Sequence, residues 1–353
     1  MKKKIVFILL LTLSLTSLLF IYNDDFLYKT DIMKIQKISN TKTEESSNPL
    51  GLKEKYYYKK ITGVITNGKN KGKNITIKYE ETYSSVVTDR YRVNDKVFVK
   101  NKSIEGLKRD FYLAILIVIF LLMIYIVGNF KGLLSILSLI LNIIIFYIGL
   151  ELYFKGFNIL IICIIESFVF SILSLFISNG INKKSFSAVL SVVVSITILL
   201  LMLLIISKIT NYKGINFNEI SFLTVPPEDI ILPELLIGTI GAVMDVAITI
   251  SSAISELIDK DKNISAKSLK LSAKQIGKDI MSTMSNVLFF TYLCAGLPIF
   301  VLAIRNGFSF YNYITTNFSL ELTRFLVGSI GIVMTIPITT FISVKIFKEK
   351  AHE

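Results

Sequence analysis

FYLAILIVIFLLMIYIVGNFKGLLSILSLILNIIIFYIGL, residues 111–150, carries Lys131 as its only charge. The hydrocarbon core of a bilayer is crossed by a helix of about 20 apolar residues. The stretch therefore holds two spans, 111–128 and 132–150, parted by the short Asn129–Lys131 segment. The same criterion finds one earlier run at 5–22 and later runs at 158–178, 185–206, 231–257, 280–304 and 321–344. The expected fold class is an all-α polytopic membrane protein of about eight transmembrane helices, with a small extracytoplasmic β module after the first.

Composition agrees with that reading. Of the 353 residues 52% are apolar and the mean hydropathy is +0.62, more than a water-exposed surface accommodates. The net charge of +13 is not a nucleic-acid signature, because the lysines fall between the apolar runs. Cys163 and Cys294 lie inside apolar stretches and the only histidine is His352. No disulfide framework, zinc site or cofactor is expected from such a set. The run 5–22 follows Lys2, Lys3 and Lys4, is long, and leads into SLLFIYND without a small-residue cleavage site, so an uncleaved anchor is favoured over a signal peptide.

Short loops orient the chain. With the amino terminus inside, Lys131, Lys183, Lys184, the six lysines from Lys260 to Lys278, and the tail lysines 345, 348 and 350 are cytoplasmic. The outer short loops keep Lys155, Lys208, Lys213 and Arg305. Both termini are then inside, and residues 23–110 lie outside. Thr41–Gly51 has linker composition, while KKITGVIT, NITIKYEETY and DKVFVK alternate at the strand period, placing a β module at about 56–100. NGKNKGKN between two of these runs reads as a hairpin turn; it lacks the spacing and the Ser/Thr of a nucleotide phosphate loop. The remaining domains are the anchor (1–22), a seven-helix membrane domain (111–347) and a cytoplasmic tail (348–353).

Candidate chemistry centres on LPELLIGTIGAVMDVAITISSAISEL, residues 232–257. At 100° per residue, Gly238, Gly241, Asp245, Thr249, Ser252 and Glu256 share one stripe among Leu, Ile and Val. Asp245 falls near mid-span, where an ionised side chain costs at least about 2.5 to 3.5 kcal/mol. A proton, a cation, a basic partner or water must compensate it; a close-packed seam with a protonated Asp245 is the alternative. Asp279, Thr283 and Asn286 share a face at the start of the next span, and Gly296 and Pro298 can break or kink it and free carbonyls. Glu166, with Ser167, Ser171, Ser174 and Ser178, and Asn142 extend a hydrated path or form packing contacts. In the last span Gly328, Gly331, Thr335 and Thr339 continue the face of Arg324, and Pro337 offers a kink. Arg324 snorkels or pairs with Glu321; its depth makes it a remote counter-charge for Asp245. Lys267, Lys270, Lys274 and Lys278 lie opposite Leu269, Ala273 and Ile276, as in an interfacial helix that meets anionic lipid.

GTIGAVMDVAITISSAISEL followed by IGKDIMSTMSNVLFFTYLCAGLP resembles the YibE/F family of bacterial membrane proteins. The segment ending in YRVNDKVFV and the seven spans after it look like the longer, YibE-type member, with Ser282 where the family pattern carries glycine. The resemblance implies a plasma-membrane location and a related membrane subunit as partner. It implies no established reaction or substrate. The expected function is therefore a permease or secondary transporter, proton- or cation-coupled through Asp245. A non-transporting assembly or sensor protein, binding a partner through its outer β module, is the alternative. An enzyme is not expected: there is no HExxH motif, serine–histidine pair or facing aspartates, and no Walker motif suggests a pump.

Overall fold

The computed structural model describes residues 2–47, 53–85, 88–217, 226–316 and 318–348. The chain divides into two compact units, Met1–Asn129 and Phe130–Glu353. In the first, helix α1 (Lys2–Tyr22) ends in a 3-10 turn at Asp24–Leu27 and five strands follow: β1 (Asp31–Ser47), β2 (Lys53–Ile65), β3 (Asn74–Thr82), β4 (Lys96–Lys100) and β5 (Ser103–Leu107). They form one antiparallel sheet in the order β3-β2-β1-β4-β5.

Strand β1 corrects the linker expected at 41–51. It pairs through Ser47 with Lys53 of β2, and residues 48–51 lie outside the described residues. Its second half is polar because Lys42, Glu44 and Glu45 stand on an exposed ribbon whose backbone hydrogen bonds need no apolar face. The module thus begins at Asp31, well before residue 56. Met33, Ile35, Ile61, Ile77, Tyr91, Val97 and Val99 make its core. The NGKNKGKN turn is held by Asn67, whose Oδ1 accepts from the Ile32 amide at 2.6 Å and whose Nδ2 donates to the Thr30 carbonyl at 2.9 Å. Buried Lys108 binds Asp24 at 2.5 Å and Asp110 at 2.9 Å, while Lys96 reaches Asp25 at 2.8 Å.

Helix α2 (Asp110–Phe154) contains both spans read at 111–150 and is broken at Asn129, where φ 49° and ψ −127° interrupt the helical path. Residues 130–154 belong to the second unit. There follow α3 (Ile159–Asn179), α4 (Lys183–Thr210), α5 (Pro227–Lys260), α6 (Ala266–Arg305), the short α7 (Phe310–Thr316) and α8 (Ser319–Lys348). Among the described residues six helices, α2 to α6 and α8, are long and apolar enough to cross a membrane; α1 offers the shorter apolar stretch Ile8–Tyr22. Most of their large apolar side chains that are not in a core are exposed, as in a protein solvated by lipid. The tail from residue 349, including His352, lies outside the described residues.

Helices α5 and α8 form the centre of the second unit. One core joins Leu199 of α4, Leu236 and Val243 of α5 and Leu320 of α8; another joins Ile250 and Ile254 of α5, Leu269 of α6 and Ile332 of α8. Small residues set the spacing. A Cβ on Gly331 would stand 2.6 Å from Thr239 Cγ2, one on Gly328 would stand 2.8 Å from Leu288 Cδ1, and one on Gly277 would overlap Ile336. Ser187, Ser251 and Ser343 meet in a buried knot between α4, α5 and α8, with Oγ–Oγ distances of 2.7 and 3.0 Å to Ser343.

Candidate functional site: an acidic cavity in the helical unit

Within the second unit, α2, α3, α5, α6 and α8 border a largely apolar, half-open cavity of about 520 Å³. Four charged side chains line it: Glu166 of α3, Glu234 of α5, and Glu321 and Arg324 of α8. Arg324 is bidentate, donating from Nη1 to Glu321 and from Nη2 to Glu234. The i,i+3 spacing on α8 brings Glu321 to its own arginine, and α5 delivers Glu234 within its first two turns. Pro233 beside it lacks an amide hydrogen and leaves α5 one bond short at this level.

Glu166 is 5% exposed, and its Oε1 has no hydrogen-bond partner among the described residues. Glycine makes its room: a Cβ on Gly149 would overlap Oε1 and stand 2.7 Å from Cδ. Glu321 Oε2 and Arg324 Nε are likewise buried without partners. Buried polar atoms are nearly always satisfied, and each of these three costs free energy while it lacks a partner. Three carboxyls face one guanidinium, an excess of two negative charges when all are ionised (3 − 1 = 2).

Of the seven residues expected along a path, Glu166 alone borders the cavity. Asp245, Thr249, Glu256, Asp279 and Asn286 are exposed and Ser252 is half-buried. Thr249 donates to the Asp245 carbonyl at 2.8 Å, a bond within the helix. Gly238 lines the cavity, where a Cβ would stand 3.0 Å from the Tyr292 hydroxyl of α6; Gly241 faces open space. Of the break or kink expected at Gly296 and Pro298 the break does not occur, since α6 runs through both; the Gly296 carbonyl accepts from the Tyr313 hydroxyl at 3.0 Å. Pro337 likewise sits within a continuous α8. Ser167 and Ser171 donate to carbonyls of their own helix, and Ser174 accepts from Asn142 at 2.7 Å.

The sequence reading missed Glu234 and Tyr292. Glu234 stands four residues before Gly238 and heads the same α5 stripe, a signal within reach; Tyr292 carried none. From Glu234 to Glu256 the stripe runs about 33 Å at 1.5 Å per residue, close to the thickness of a hydrocarbon core. The polar line thus starts inside the cavity and continues down an exposed helix face.

Two family models match the chain: the YibE/F family N-terminal domain over residues 26–110 and YibE/F-like protein over residues 116–349. No curated protein and no solved structure matches it. Matched over nearly its whole length and built of long apolar helices, the chain is a membrane protein of the YibE/F family.

Proposed function

We propose that this protein is a non-enzymatic permease that binds a proton or a cationic solute in the cavity beside Glu166 and passes it along the α5 stripe through Asp245. The observation that carries the reading is a buried, unpartnered carboxyl in an acidic cavity of about 520 Å³. An unpaired carboxylate out of water costs several kcal/mol. A proton or cation entering the cavity removes that cost, which makes binding favourable without a tight fixed ligand set. Arg324 holds Glu234 and Glu321 in place and leaves Glu166 as the free acid. The lysine distribution supports a bacterial plasma-membrane orientation with both termini cytoplasmic.

The test is flux in liposomes containing a pH-sensitive dye, under imposed proton, sodium and potassium gradients and with a pool of metabolites. Wild type is expected to give a gradient-driven flux that Glu166→Gln abolishes and Asp245→Asn reduces. No flux from wild type under any condition, with both variants fully active in cells, overturns the reading.

One observation favours a second role. Asp245 and Glu256 are exposed on a helix otherwise suited to lipid, which a related membrane subunit docking there would cover. In that assembly reading Asp245→Asn releases the subunit on co-purification while Glu166→Gln does not.

A further inference from the structure

Farther along two of the helices that border the cavity, toward the start of α6 and the end of α8, lies a groove of about 590 Å³ whose walls and rim differ sharply. Met281 of α6 and Val333, Ile336, Pro337 and Phe341 of α8 make an apolar trough. Lys270, Lys274 and Lys278 border the same groove. They recur every four residues along α6, so their stems follow one line about 12 Å long. None of the three makes an ion pair or a hydrogen bond among the described residues. Their helix is anchored on the adjacent side by the buried residues Leu269, Ala273 and Gly277, the last against Ile336 of the trough. The lysines are therefore presented at fixed height beside the trough rather than on a free loop. The same end of α8 carries Lys345 and Lys348.

We propose that this groove binds one anionic phospholipid, its acyl chain lying in the apolar trough and its phosphate held by Lys270, Lys274 and Lys278. A soluble anion would leave the trough empty, and a neutral lipid would leave three ammonium groups without counter-charge. An anionic lipid satisfies both halves at once, because lysine stems lie along apolar surface while their charged ends reach the headgroup level. The site is separate from the acidic cavity and stands whether or not the chain transports anything.

The test uses the full chain, purified in mild detergent and titrated with phosphatidylglycerol or phosphatidylethanolamine, with bound lipid counted by native mass spectrometry. Wild type is expected to retain one phosphatidylglycerol in preference to phosphatidylethanolamine. The triple variant Lys270→Gln, Lys274→Gln, Lys278→Gln should lose affinity on the order of 100-fold, at about fivefold per lysine. Val333→Phe, which fills the trough and keeps every lysine, should lose the lipid as well. Lys183→Gln with Lys184→Gln, at the start of α4, should bind as wild type does. Equal retention by the triple variant overturns the proposal. So does equal loss in the Lys183/Lys184 variant, which would mean general surface attraction, and so does retention by Val333→Phe, which would mean a headgroup contact without the trough.

Discussion

Glu166 and Gly149 act as one unit across α2 and α3. A methyl group at residue 149 would displace the carboxyl and press on Ile162 Cγ2 at 3.0 Å. Gly149→Ala should therefore lower stability by about 1 to 3 kcal/mol and weaken ligand binding, where Glu166→Gln removes binding with little change in melting temperature. Thermal unfolding in detergent, with and without ligand, separates the two. Arg324 has a different place in the balance. Arg324→Leu leaves Glu234 and Glu321 without their partner, a loss of about 3 to 5 kcal/mol for a buried pair, toward the lower end because Glu234 is 38% exposed. Arg324→Lys should recover only part of it, since an ammonium cannot reproduce the two-pronged contact. Glu166 was legible in the sequence as a charge inside an apolar run. Its setting was not, because the glycine that admits it is on another helix, and no periodicity along one chain segment reveals a contact between two.

Among the helices, glycines of the same type in the sequence turn out to do different things. Gly331 is pressed against Thr239, whereas nothing lies within 4 Å of a Cβ at Gly241. Gly331→Val should cost about 1 to 3 kcal/mol; Gly241→Ala should leave stability unchanged or slightly raised, through helix propensity. Both show in detergent melting curves. In the β module, desolvation by burial raises the pKa of Tyr91 above its ordinary 10.0. Burial alone would lower that of Lys108, but hydrogen bonds with Asp24 and Asp110 outweigh it and raise it above its ordinary 10.5. Folded, both groups hold protons that the unfolded chain releases more readily. Their contribution is thus fully present below about pH 10 and is lost as pH rises through the folded values. Amide-exchange protection of the strands should fall above that pH; unchanged protection at pH 12 would contradict the assignment. Strands β2, β3 and β4 of the module were legible from alternation; β5, beyond residue 100, was not read. Strand β1 went unread: its first half alternates in DIMKIQKI, but its exposed end alternates nothing apolar and has the composition of a linker.

For the molecule as a whole, length and hydropathy were enough to read the helices: each apolar run became helix, and the two at 111–150 joined as α2 with a break at Asn129. The cavity was not readable at that level. It depends on five helices converging, with Glu234 and Glu321 brought to one arginine from positions 87 residues apart (321 − 234 = 87). The expectation that Asp245 is the principal acid followed from its depth along one helix, which says nothing about which way the helix turns. Asp245 faces out, and Glu166 borders the cavity. The central claim is that ligand binds at Glu166, and binding tests it more directly than flux. Purified wild type, Glu166→Gln and Asp245→Asn would be melted with and without each cation or solute that drives flux in liposomes. A ligand at 100 times its Kd stabilises the folded state by about 2.7 kcal/mol. The account predicts an upward shift in melting temperature for wild type and Asp245→Asn and none for Glu166→Gln; an undiminished shift in Glu166→Gln would contradict it.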